Sequence, residues 1–129
     1  MIELDIRLKT SYPVFVGNGA LARLSHLSAL NEADRIWIIT DETVRDLHLH
    51  TLQEALGSIS QSTSIHVSTV PTGEQSKSLA VYGSLLEEGI RHGMTRHSII
   101  LAFGGGMIGD LAGFVAATFL RGIPFIQIP

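Results

Sequence analysis

Apolar and polar residues alternate from the start of the chain: Ile2, Leu4, Ile6 and Leu8 against Glu3, Asp5 and Arg7. A two-residue period predicts a half-exposed strand over Ile2–Leu8. Tyr12–Val16 reads as a second short strand, and Thr10–Ser11 between them suggests a hairpin. Gly17, Asn18 and Gly19 predict a turn. Leu21, Leu24 and Leu27 then fall on one face of a helix expected over about Ala20–Leu30, with Asn31 as its C-cap. Arg35–Thr40 is apolar throughout its middle and predicts a buried strand. Asp41 follows as an N-cap for a helix over Glu42–Leu56, which Gly57 ends. Ser64–Val70 predicts another strand, closed by Pro71. The polar loop Thr72–Ser76 leads into a helix expected over Lys77–Arg91, with Leu79, Tyr82, Leu86 and Ile90 as its core face. After Gly93 comes the apolar strand Ser98–Phe103, then glycines, then a helical pattern running to Leu120, then a strand over Pro124–Ile128. Behind the hairpin the order is strand–helix repeated, which predicts an α/β fold with a parallel sheet flanked by helices.

The glycines interrupt this pattern most sharply. Gly104, Gly105 and Gly106 follow directly on Phe103, and Gly109 and Asp110 come next. A bare backbone at a strand's carboxyl end, opening a helix, admits a phosphate without a Cβ in the way and offers it free N–H groups. Gly104, Gly106 and Gly109 fit G-x-G-x-x-G, yet two parts of the dinucleotide fingerprint are missing. The loop comes late in the chain, and no acid closes Pro124–Ile128, about 20 residues on. The residues therefore point to a phosphate cradle rather than to the ordinary fingerprint; the competing reading is a tight turn with close helix–sheet packing.

In a parallel sheet the loops Asp41–Thr43, Thr72–Lys77 and Gly104–Asp110 share one edge and are expected to converge on a single ligand. Asp41 has two compatible roles, helix cap and acceptor for a ribose hydroxyl. Lys77, held by Glu74, reads either as a partner for phosphate or hydroxyl or as a solvated loop pair. Asp110 in the first turn of its helix either complements the dipole or takes hydroxyls or a ring. Thr118 and Arg121 end that helix, where a cation also suits the dipole.

Composition narrows the classes. The chain has 129 residues, which predicts one domain, and 45% are hydrophobic. Arg121 and Pro124 interrupt the longest apolar stretch, so no membrane span is expected, and MIELDIRLK has no signal-peptide core. There is no cysteine, hence no disulfide framework and no thiolate chemistry. The net charge of −3 without a basic run argues against nucleic acid as a partner. We expect a cytoplasmic protein. The six histidines give no metal signature: His48 and His50 lie two apart on a helix, and His92 and His97 flank a turn with no acid at ligand spacing. No HExxH and no nucleophile elbow occur, so no metal site is expected within the chain.

Four stretches, YPVFVGNG, ITDETV, PTGEQSKS and the long GGGMIGDLAGFVAATFLRGIPFIQIP, together span nearly the whole chain and resemble the 3-dehydroquinate synthase family. The resemblance implies a Rossmann-like NAD-binding domain over residues 1–129, with an N-terminal β-hairpin. The family's helical metal domain would lie beyond Pro129, where a domain ending straight after a strand also suggests a fragment. It implies that Asp41 meets the adenosine ribose. Gly73, Glu74 and Lys77 would line the nucleotide, and Gly105, Gly106, Met107 and Asp110 would cradle the diphosphate and nicotinamide end. With their neighbours Thr43, Thr72, Gln75, Ser76, Ile108 and Gly109 these make up the implied cofactor-binding set. Thr72 stands where an aspartate is common, and Thr43 where an asparagine can occur. Arg121 resembles the arginine that reaches the substrate in the neighbouring subunit of a homodimer.

For the intact enzyme the resemblance implies a carbon–oxygen lyase of the shikimate pathway, acting on 3-deoxy-D-arabino-heptulosonate 7-phosphate. A hydroxyl is oxidised by NAD, phosphate is eliminated, the ketone is reduced again, and ring opening with aldol closure yields 3-dehydroquinate. Zinc or cobalt would act as Lewis acid, on ligands outside this chain. The fragment alone is not expected to turn over. Competing readings are another sugar-phosphate cyclase, a metal-dependent polyol dehydrogenase, and a non-catalytic nucleotide-binding module; the GEQSK loop favours the synthase over the dehydrogenases.

Overall fold

The computed structural model describes residues 1–57 and 59–129. Strands β1 (Ile2–Ile6) and β2 (Tyr12–Val16) pair antiparallel as a separate hairpin, Ile2 opposite Val16 and Ile6 opposite Tyr12. β1 ends two residues before the expected Leu8. It is also more exposed than half-exposed: Ile2 and Leu4 both face solvent. The remaining strands are β3 (Arg35–Asp41), β4 (Ser64–Val70), β5 (Ile99–Phe103) and β6 (Phe125–Ile128). They form one parallel sheet in the order β4-β3-β5-β6. The chain leaves β3 for β4, then returns across β3 to β5. The direction of winding therefore reverses between β3 and β5, the kind of point where such sheets bind ligands.

Alternating side chains of the central strands fill two cores. Ile36, Ile38, Ile99 and Leu101 face α2 (Glu42–Leu56), meeting Leu52 and Leu56. Trp37, Ile39, Ile100 and Ala102 face α4 (Leu79–Arg91) and α5 (Gly106–Thr118), meeting Leu85, Leu111 and Val115. Each fully buried isoleucine contributes about 1.5–3 kcal/mol, which is why β3 and β5 need no polar face.

Several boundaries differ from expectation. The helix expected over 20–30 is a 3-10 helix, Ala20–His26, broken at the extended Leu27 and followed by the short α1 (Ser28–Glu32). Leu21, Leu24 and Leu27 are spaced by three, which is the 3-10 period rather than the α period. Asn31 is not a C-cap; it lies inside α1 and its amide donates to the Leu27 and Ser25 carbonyls. A short α3 (Ile59–Ser62) precedes β4. α4 begins at Leu79, after a 3-10 turn over Glu74–Ser76, because Ser78 caps it by accepting from the Val81 N–H at 3.1 Å. Its inward face is accordingly Val81, Tyr82, Leu85, Leu86 and Gly89; the expected Leu79 and Ile90 are exposed. Gly89 joins that face because a Cβ there would lie 2.5 Å from the Trp37 ring. α5 ends at Thr118 rather than Leu120, and Leu120 and Arg121 both take left-handed backbone angles. Among the described residues no helix is long and apolar enough to cross a membrane.

Candidate functional site

Parallel strands bring the carboxyl ends of β3, β4 and β5 to one edge, and the three loops there are joined side chain to side chain. From the β3 end, Asp41 Oδ1 accepts from the Val44 N–H at 2.9 Å, capping α2. The Thr72 hydroxyl from the β4 loop reaches the same oxygen at 3.4 Å, and also lies 2.9 Å from the Thr43 hydroxyl. Among the described residues Asp41 Oδ2 makes no hydrogen bond, so capping leaves one oxygen free.

The loop after β4 is built by local bonds. Gly73 has φ +113°, a conformation open to glycine; Gln75 folds over it and donates to the Thr72 carbonyl at 2.9 Å. Ser76 is buried and donates to the Pro71 carbonyl. Lys77 then crosses to α5, its ammonium 2.7 Å from Asp110 Oδ2 and 3.1 Å from Glu74 Oε2. The Asp110 bond first, and the Glu74 bond second, raise the Lys77 pKa above its ordinary value. Lys77 is therefore a cation at neutral pH and not a general base. Asp110 lies in the second turn of α5, not the first, since the helix starts at Gly106.

The glycine loop divides by the reason for each glycine. Gly104 has φ +155°, and a Cβ there would lie 2.9 Å from Ile108. A Cβ on Gly109 would meet only the amide tip of Gln127 of β6, at 2.8 Å, a flexible end that can shift, so packing favours glycine here without demanding it. Gly105 and Gly106 are different. Neither has a positive φ, and a Cβ on either would meet no atom within 4 Å. Gly105 caps α5 without a side-chain bond, and no acid stands in the first turn. The first N–H groups of α5 therefore have no capping side chain and no acid among them. Met107 and Ile108 turn their side chains into the core, leaving only their backbone at this surface.

Beside the glycines a cleft of about 340 Å³ opens toward α2, lined by Val44, His48 and Thr51 as well as Gly104, Gly105 and Ile128. Reading the loops alone missed the α2 residues. Their spacing of four and then three puts all of them on one helix face, which is the signal that would have found them.

Arg121 is not at this edge. α5 carries the chain about 20 Å back across the sheet before Arg121 is reached. There it lines a small exposed recess with Arg96 and Leu120. The histidines also hold a surprise for spacing arguments: His66 of β4 lies against Glu88 and His92 of α4.

Residues 67–129 match the family described as 3-dehydroquinate synthase N-terminal. A 3-dehydroquinate synthase from Halalkalibacterium halodurans is 41% identical over 118 residues, 92% of this chain and 32% of that protein. The chain spans about a third of the length of the curated relatives it matches. A crystal structure of 2-deoxy-scyllo-inosose synthase, complexed with carbaglucose-6-phosphate, NAD+ and Co2+, aligns with 99% of this chain and 35% of its own. Its TM-score is 0.87 at 28% identity. A 2-epi-5-epi-valiolone synthase from Streptomyces hygroscopicus subsp. jinggangensis 5008, with NAD+ and Zn2+ bound, aligns with 98% of this chain and 34% of its own. Its TM-score is 0.76, again at 28% identity. The likeness thus runs from the hairpin to the last strand rather than through the glycine loop alone, and on it the chain belongs to the 3-dehydroquinate synthase family, matching its N-terminal part.

Proposed function

We propose that this chain is the NAD-binding part of a 3-dehydroquinate synthase. The intact enzyme converts 3-deoxy-D-arabino-heptulosonate 7-phosphate to 3-dehydroquinate and phosphate in aromatic amino acid biosynthesis. One observation carries the reading: Gly105 and Gly106 are glycines that neither backbone angle nor packing demands. A glycine in a helix start costs backbone entropy, so its retention is best accounted for by a ligand that takes the space of the missing Cβ. A diphosphate fits, since the site offers free N–H groups, a helix dipole and no first-turn acid.

In this reading the N–H groups of Gly106, Met107 and Ile108 hold the diphosphate. Asp41 Oδ2 takes a ribose hydroxyl while Oδ1 keeps its cap. Thr43 and Thr72 fix Asp41, and Gly73, Gln75 and Ser76 shape the loop that carries Glu74 and Lys77. Lys77 neutralises Asp110 and Glu74, whose charges would otherwise repel the diphosphate. NAD, when bound, supplies a hydride acceptor that gives the hydride back within one cycle. Glu74 and Asp110 are both tied to Lys77 and offer no free ligand set beside the glycine loop, so the catalytic zinc or cobalt of the intact enzyme would take its ligands from outside this chain. Arg121, at the far edge of the sheet, serves the substrate of a second copy in a homodimer. The protein is cytoplasmic.

Calorimetric titration of the intact protein with NAD tests this. Gly106→Val should abolish measurable binding while the circular dichroism stays native; unchanged affinity would reject the cradle. A second reading, another sugar-phosphate cyclase, is favoured by the neighbour solved with a carbaglucose phosphate. Assaying the intact protein on 3-deoxy-D-arabino-heptulosonate 7-phosphate against a hexose 6-phosphate separates the two by which substrate releases phosphate.

A further inference from the structure

At the opposite, amino-terminal half of the sheet, β4 and α4 bring together three side chains with no part in the nucleotide site. His66 Nε2 lies 2.7 Å from Glu88 Oε1. The His66 and His92 rings stack with centroids 3.6 Å apart and an angle of 15°. One ligand atom from each of His66, Glu88 and His92 can be chosen so that all lie within 4.8 Å of one another. Among the described residues no other group of potential metal ligands is so assembled. We propose that these three residues bind a divalent transition metal of the zinc class, clamping edge strand β4 to α4.

The chemistry suits that class. Two imidazoles and one carboxylate are a recurring donor set for zinc, with water in the fourth position. Carboxylate-only cations such as calcium and magnesium take oxygen ligands and would leave the imidazoles unused. Glu88 and His92 are four apart, so successive turns of one helix present both on the same face. His92 is also the C-cap of α4, where the helix dipole favours positive charge. Tetrahedral zinc with bonds of about 2.0–2.1 Å needs its ligand atoms about 3.4 Å apart. The ligand atoms, all within 4.8 Å of one another, therefore need only small movements to reach that spacing. His92 is exposed and has room to turn out of its stack on the His66 ring, while the 2.7 Å hydrogen bond between His66 and Glu88 must open by less than about 1 Å for both to face one ion. Sequence spacing could not find this site, because His66 lies on a strand remote in the chain from Glu88.

The test is a calorimetric titration of the metal-stripped 129-residue chain with Zn2+, with Co2+ as a spectroscopic probe. One equivalent should bind, and Co2+ should give the visible absorption of a four-coordinate site. His92→Ala and Glu88→Gln each change an exposed or half-exposed side chain, so both should fold. Each should weaken Zn2+ at least tenfold, while His97→Ala should leave it unchanged. At a hundredfold excess over Kd, Zn2+ should raise Tm by roughly 5–10 °C in the wild-type chain and not in His92→Ala. Absence of saturable binding in the wild-type chain would overturn the proposal. So would wild-type affinity in both variants, which would put the metal elsewhere.

Discussion

Gly89 and Gly106 show how one residue type answers to opposite demands. At Gly89 a Cβ would come within 2.5 Å of Trp37, and that ring cannot yield. Its indole N–H donates to Ser68 at 2.7 Å, and Phe119 packs edge-on against it. Gly89→Ala should therefore destabilise the chain by about 1–3 kcal/mol, read as a fall in Tm. At Gly106 the space is open, and alanine is the better helix former. Gly106→Ala should hold or raise stability by about 0.5 kcal/mol and yet weaken NAD. If Gly106→Ala keeps full NAD affinity, the open space at this glycine has no ligand in it. Arg121 is a third case. It holds a left-handed angle, φ +68°, that a non-glycine residue adopts only when its surroundings compel it.

Between elements, short polar ties do what the apolar core does not. Asp34 joins the start of β3 to the loop before β5. It accepts from the hydroxyls of Thr95 and Ser98, while its own N–H donates to the His97 carbonyl. Burial works to raise the Asp34 pKa, but the bonds from Thr95, Ser98 and the Arg35 backbone, with the charge of His97, outweigh it and lower it. A depressed carboxyl stabilises the fold at pH above its unfolded value, about 3.9, and that contribution is lost as pH falls through the lower folded value. Lys77 has the opposite sign: its raised pKa gives stability that is complete below the ordinary lysine value, about 10.4, and lost as pH rises through the folded one. Denaturant titrations across pH should accordingly show Asp34→Asn flattening only the acid limb and Lys77→Met only the alkaline one. An unchanged acid limb in Asp34→Asn would mean that this tie does not contribute to stability.

For the molecule as a whole, α5 separates the glycine loop from Arg121 by its length. The glycine loop stands at the carboxyl edge of the sheet, and Arg121 about 20 Å away at the other. If Arg121 serves a neighbouring copy, two inactive variants of the intact protein should rescue each other. Gly106→Val supplies a sound Arg121 and Arg121→Ala a sound cradle, so a hybrid dimer contains one complete site. Random mixing should restore about a quarter of wild-type activity. No recovery, with hybrids verified by mass, would show that Arg121 acts within its own subunit or not at all.

The sequence by itself determined the elements that local physics governs. α2 and its Asp41 cap, and strands β2 and β4, were legible residue for residue, and β5 to within one residue, because apolar runs, caps and glycine stops are signals carried by neighbours in the chain. The family likeness was legible too, from four stretches of unlike chemistry in one order. Tertiary structure alone decided the rest. The order β4-β3-β5-β6 depends on which strands compete best for the centre. The core stripe of α4 runs through a glycine that hydrophobic patterning does not count. Lys77 meets Asp110, and His66 meets Glu88 and His92, across separations that no local period reports. Contacts of that kind are set by how helices of a given length and cap return across a twisted sheet, and so they exist only once the whole chain has packed.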